Sequence, residues 1–226
     1  MSQTSKELLA HLKSLANPAN VEGMARFGIS SKNTLGISIP ILRRLAKSHR
    51  NDHALALDLW KSGIHEAHIL AAFVDDPKQV SEAQMEVWVS NFDSWDVCDQ
   101  VCSGLFDKTP FAFHKADEWS AQSEEFVKRA GFVLMAALAV HDKMSGDEPF
   151  EKWMPVIVRE ASDERNFVRK AVNWALRQIG KRNPRLQVRA MKVARQLSES
   201  ESKSARWVGT DALRELEKKA NVRNRK

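Results

Sequence analysis

The stretch Ser123-Glu124-Glu125-Phe126-Val127-Lys128-Arg129-Ala130 recurs as Asp163-Glu164-Arg165-Asn166-Phe167-Val168-Arg169-Lys170-Ala171, so that Phe167 stands 41 residues after Phe126. A period of that length belongs to helical-pair repeats of the HEAT type. In these, each pair buries its apolar face against the next, and the stack curves around a concave binding surface. The other explanation is chance likeness between two helix starts of similar composition. Both copies set a cation just before a small residue, at Arg129 and Lys170. Stacked copies would project those two cations to neighbouring places on one surface.

Working outward from the repeat, nearly every segment carries helical apolar spacing, and no run combines strand-like alternation with β-rich composition. Helices are expected over residues 5–15, 21–27, 39–48, 53–62, 65–75, 81–91, 95–106, 110–119, 123–141, 149–161, 164–181, 184–198 and 204–219. Pro40, Pro149 and Pro184 fall at first turns, where the missing N–H costs nothing. The breaks are short and no Gly/Ser-rich linker divides the chain. The expected fold class is therefore all-α, a single HEAT-like solenoid domain over residues 1–220. A basic tail at 221–226 would be a disordered, phosphate-attracting end or a solvated terminus.

Charge is spread unevenly along the chain. Residues 1–150 hold 15 Lys+Arg against 20 Asp+Glu, a net of −5, whereas residues 151–226 hold 20 against 9, a net of +11. Cations clustered in this way point to a polyanionic partner, because they displace the counterions condensed on a phosphate backbone. A well-solvated helical surface has the same composition. No N-terminal apolar run resembles a signal peptide and none reaches the roughly 18–20 apolar residues of a membrane span, so a cytoplasmic protein without membrane contact is expected. The two cysteines, Cys98 and Cys102, are spaced i,i+4 and give no disulfide framework. The run His65-Glu66-Ala67-His68 lacks the zinc-protease spacing, so neither a metal site nor a cofactor is expected.

Two stretches carry candidate function. In the helix expected over 164–181, Val168, Ala171, Val172, Ala175 and Ile179 form one apolar stripe, while Lys170, Trp174, Arg177 and Lys181 gather opposite, with Arg169 beside them. A tryptophan among cations suits nucleic acid, the ring meeting a base or sugar and the charges meeting phosphates. Packing of Trp174 against the next repeat is the competing account. In Asn91-Phe92-Asp93-Ser94-Trp95-Asp96-Val97-Cys98-Asp99, Asp93 or Ser94 can cap a helix and Asp96 suits its first turn. Asp99 has no such role. It lies one turn beyond Trp95 and is expected on the same face as Cys98, Cys102 and Phe106. There it is either solvated or salt-bridged, or it stands in a cleft where a substrate cation compensates it.

Taken together, Leu35-Gly36-Ile37 with Pro40 and Arg43-Arg44, Ser94-Trp95-Asp96-Val97-Cys98-Asp99, Phe126-Val127-Lys128-Arg129-Ala130, and Phe167 through Trp174 and Arg177 to Lys181-Arg182-Asn183-Pro184 form an ordered set. In these blocks the chain resembles the bacterial DNA alkylation repair glycosylases of the AlkD type, which are built from HEAT-like repeats. The resemblance implies a concave, basic DNA-binding surface. It also implies that Trp95 and Trp174 flank a damaged nucleotide, that Asp99 is the catalytic carboxylate and that Arg129 belongs to the active-site cleft. Arg43, Arg44, Arg169, Lys170, Arg177 and Lys181 become the expected DNA-backbone contacts. The implied activity is removal of cationic N3- and N7-alkylated purines, 3-methyladenine and 7-methylguanine, from double-stranded DNA by a monomer, with the lesion left largely stacked. The sequence departs from the family pattern at Ser94, where relatives often carry a second Trp, and at Phe27, where a Tyr is expected; the chain contains no Tyr. Two other classes fit the helical pattern: a catalytically silent relative that recognises branched or bent DNA, and a protein-binding repeat scaffold.

Overall fold

The computed structural model describes residues 1–223, and among them every regular element is helical. Thirteen α-helices run in the order α1 (Gln3–Ser14), α2 (Pro18–Ala25), α3 (Ile39–Ala46), α4 (His53–Trp60), α5 (His65–Val74), α6 (Glu82–Ser90), α7 (Trp95–Gly104), α8 (Ala112–Ser120), α9 (Glu125–His141), α10 (Glu148–Glu160), α11 (Asn166–Arg182), α12 (Pro184–Ser198) and α13 (Lys203–Arg223). A short 3₁₀ turn, Phe106–Lys108, follows α7. Of the tail expected at 221–226, residues 221–223 continue α13 and 224–226 lie outside the described residues. None of the described helices is long and apolar enough to cross a membrane.

Each helix falls where its apolar spacing predicts, and the ends shift by local chemistry. Helix α2 begins at Pro18, ahead of the expected residue 21, because the Asn17 side chain accepts from Asn20 N and the proline occupies the first turn. Ser2, Asp52, Ser81 and Asn183 cap α1, α4, α6 and α12 in the same way. Pro40, Pro149 and Pro184 stand at the first turns of α3, α10 and α12 as expected.

The chain packs as two compact units, Met1–Phe111 and Ala112 onward. In the first, α5 is central and is covered by α1, α3, α4 and α7. Trp60 stacks on Trp88 at 3.9 Å, and His68 stacks on Trp60 at 4.1 Å. Two adjacent charged residues open α5, and both are buried. Glu66 is 0% exposed and accepts from three backbone amides, Leu35 at 2.8 Å, Gly36 at 2.6 Å and Ile37 at 3.2 Å. Gly36 is held at φ +80°, and a Cβ there would lie 2.3 Å from the Asn17 carbonyl oxygen, so this close turn admits only glycine. His65 Nε2 meets Asp96 Oδ2 of α7 at 2.8 Å, with the two residues 4% and 8% exposed.

In the second unit α9 and α11 form the centre, with α8 against α9 and α12 and α13 against α11. Residues 129–139 of α9 are all buried, which is why the helix is apolar around most of its circumference. At Gly131 a Cβ would come within 2.4 Å of the Ser120 backbone nitrogen, so α8 and α9 touch main chain to main chain there. The repeat seen in sequence is stacked in space: Phe126 and Phe167 lie 5.7 Å apart with rings inclined by 28°.

Two outcomes follow from the opening of α5. Glu66→Gln turns a donor group towards amides that need an acceptor and is expected to cost about 1–3 kcal/mol; an unchanged urea midpoint would contradict this role for the carboxylate. Burial draws the His65 imidazole's pKa down, but the hydrogen bond and charge of Asp96 outweigh it and leave it raised above 6.5. Burial likewise raises Asp96, yet His65 and Ser94 bring it below 3.8. The pair therefore stabilises the fold fully between those two ordinary values. It loses that contribution as pH rises through the raised histidine pKa or falls through the lowered carboxylate pKa. Nδ1 of His65 has no partner among the described residues, so the charged ring leaves one N–H unsatisfied and the gain is modest. Melting temperature should fall from about pH 5.5 to about pH 8 more steeply in wild type than in Asp96→Asn; parallel curves would rule the pair out as the titrating element.

Candidate functional site

The start of α7 is shaped by Asp96. Ser94 occupies the N-cap position, but its hydroxyl donates to Asp96 Oδ1 at 2.5 Å instead of capping the backbone. Ser94 thus holds the cap position and Asp96 the first turn, as expected, but no side-chain cap bond forms. A histidine 31 residues upstream claims the carboxylate, and the serine closes over it. This sets the rotation of the helix. Val97, Cys98, Val101 and Cys102 turn inward, while Trp95, Asp99 and Gln100 remain half-exposed.

Asp99 thus shares a face with Trp95, as expected, but not with Cys98, Cys102 and Phe106, all of which are 0% exposed. At about 100° per residue, positions 95 and 99 align, and 98 and 102 form the adjoining buried row. Burial, with the Cys98 thiol and the charges of Asp99 and Asp107 nearby, pushes the Cys102 thiol well above its ordinary value and keeps it protonated.

Trp95 is held from outside the helix as well. Its indole N–H donates to the Phe27 carbonyl at 3.0 Å. With Met24, Phe27, Ile29 and Ile37 it walls an apolar pocket of about 470 Å³, a volume typical of small-ligand sites. The Phe27 ring itself is 73% exposed at the rim. Arg43 of α3 reaches α7 at Gln100, the neighbour of Asp99, with Nη2 3.3 Å from Oε1, and its guanidinium lies 5.5 Å from the centre of the Phe73 ring. Arg44 is exposed and its side chain makes no hydrogen bond or ion pair among the described residues.

In the second unit the expected apolar stripe of α11 is buried throughout, with Val168, Ala171, Val172, Ala175 and Ile179 at 0% exposure. The opposite side is not open as the helix pattern suggests, because α13 lies along it. Arg177 and Lys181 both pair with Glu215 of α13, whose carboxyl is held below its usual range by those two cations despite partial burial. Arg169 sits 4.8 Å from the centre of the Trp207 ring. Trp174 is half-buried and Lys170 is exposed. Arg129 is 5% exposed and donates through Nη1 to the Phe167 carbonyl at 2.5 Å, so it does not share a surface with Lys170. The stacking of Phe126 on Phe167 brings the two helix starts together and closes over the first cation. Sequence reasoning missed Glu215, Trp207 and His65; each acts through a helix packed alongside, which local periodicity does not encode.

Comparison with known proteins gives a match to the DNA alkylation repair enzyme family over residues 8–216. No curated protein matches. A solved structure with a TM-score of 0.77 and 18% identity aligns over 92% of this chain and 94% of its own. It represents a family described as related to the HEAT-like repeat DNA glycosylases, with affinity for branched DNA structures. That likeness establishes the fold as an all-helical HEAT-like repeat. The chain belongs to the DNA alkylation repair enzyme family.

Proposed function

We propose that the protein is a DNA glycosylase that removes cationic N3- and N7-alkylated purines from duplex DNA, acting as a monomer without cofactor or metal. The observation that carries this reading is the pairing of Trp95 and Asp99 one turn apart on the half-exposed face of α7, beside an apolar pocket walled by that same tryptophan. Alkylation at N3 or N7 places a positive charge on the purine and weakens its bond to C1′. Indole faces attract such a cation by roughly 0.5–2 kcal/mol, depending on desolvation.

As the C1′–N bond breaks, its electron pair returns to the purine, which leaves neutral, and positive charge passes to the deoxyribose. The Asp99 carboxylate stabilises that oxocarbenium-like state and orients a water whose oxygen bonds to C1′ and whose proton passes to solvent. The interaction strengthens as the sugar becomes positive, so it favours the transition state over the bound substrate. Neutral lesions lack the labile bond and are not substrates. Trp174 and Arg129 enter from the family resemblance, as do Arg43, Arg44, Arg169, Lys170, Arg177 and Lys181 as backbone contacts. A second reading has one specific support, the branched-DNA affinity of the structural relative: a non-catalytic protein that recognises DNA shape.

Release of free base from duplex carrying 7-methylguanine separates the two. Wild type is expected to release it, and Asp99→Asn to lose about 10²-fold or more in rate while still binding DNA. Equal rates would remove Asp99 from the mechanism. No release by either protein, with tight binding to a four-way junction, would establish the shape-recognition reading.

A further inference from the structure

Several cations of the second unit are spent on internal carboxylates: Arg177 and Lys181 on Glu215, Arg185 and Arg189 on Glu151, and Lys128 on Glu160. The first unit reverses the expectation drawn from net charge. Residues 1–111 hold 11 Lys+Arg against 13 Asp+Glu, yet four of those cations, Arg43, Arg44, Lys47 and Arg50, fall within eight positions. Three of them, Arg43, Lys47 and Arg50, converge with Lys108 on a groove of about 600 Å³ that also exposes Phe73 and Gly104. A helix C-terminus by itself favours cations in its last turn. It does not account for Lys108, which arrives from the 3₁₀ turn after α7.

Among the described residues no carboxylate forms an ion pair with this cluster. The side chains of Lys47 and Arg50 make no hydrogen bond or ion pair among the described residues, Lys108 donates to the Gly104 carbonyl, and Arg43 rests on Gln100 and Phe73. One acid, Asp75, lies in the wall, but its side chain is fully covered. Its Oδ1 takes His53 and the Asp76 amide, each at 2.7 Å, and its Oδ2 takes Gln84 at 2.8 Å. Four like charges around one concavity repel one another unless an anion enters. The groove also borders α7: Ser103, on its rim, donates to the Asp99 backbone carbonyl at 2.5 Å.

We propose that this groove seats consecutive phosphates of a DNA strand, with Lys47, Arg50 and Lys108 joining Arg43, so that the strand runs past Asp99. The proposal rests on the reading above only in taking DNA as the partner. It is tested by fluorescence anisotropy with undamaged duplex over about 50–200 mM salt, which needs no excision. Each lost phosphate contact should make the slope of log K against log salt shallower by about 0.9, so Lys47→Ala/Arg50→Ala/Lys108→Ala should be shallower by about 2–3 and bind at least roughly tenfold more weakly at low salt. Lys61→Ala, an exposed cation on another helix, should leave the slope unchanged, and Lys47→Arg/Lys108→Arg should preserve it. Melting curves overlaying wild type certify the fold of each variant. If wild type binds and the triple variant binds with the same slope, the groove is not the phosphate site and the excision reading stands. Failure of wild type to bind any duplex overturns both.

Discussion

A carboxylate sealed inside the first unit organises what surrounds it. Glu66 makes no ion pair among the described residues; three consecutive amides of residues 35–37 satisfy it, and without them a buried anion would cost several kcal/mol. Because those amides belong to one tight turn, the carboxylate fixes the path of the loop that ends in Gly36, Ile37 and Ser38, all of which line the Trp95 pocket. The residue before it, His65, reaches the other way and secures Asp96. One helix start therefore fixes both the pocket's loop wall and the helix that supplies its indole. The geometry at Asp99 is set by residues that need take no part in chemistry.

The distribution of charge has two meanings in this molecule. In the second unit cations are abundant, but several serve as struts between helices, with Glu215 tying α13 to α11 and Glu151 holding two arginines of α12. In the first unit they are fewer and less committed. Net charge along the chain tracks composition, whereas the field a polyanion meets depends on which charges are already matched.

Much of the fold was legible in sequence because helices announce themselves locally. The apolar stripe of α11, the prolines at first turns and the 41-residue spacing of Phe126 and Phe167 all depend on near neighbours or on a repeat. The face shared by Trp95 and Asp99 was equally readable, since four residues make about one turn. What was not readable depends on partners brought from a distance. Asp96 looked like a first-turn acid until His65 closed on it, Arg129 looked like a surface cation until Phe167 lay above it, and Leu35-Gly36-Ile37 gave no sign of Glu66. In each case burial of a polar group was decided by a tertiary contact that its own helix pattern does not encode.

The inward row of α7 has a consequence for survival in a hostile medium. Soft electrophiles, methyl donors among them, consume cysteine as its thiolate. Both cysteine thiols of this chain are sealed from solvent, and Cys102 is kept as the unreactive thiol by its surroundings. An agent that methylates purines therefore meets no exposed thiol on this protein, and the fold proposed to carry repair is spared that route of damage to its core.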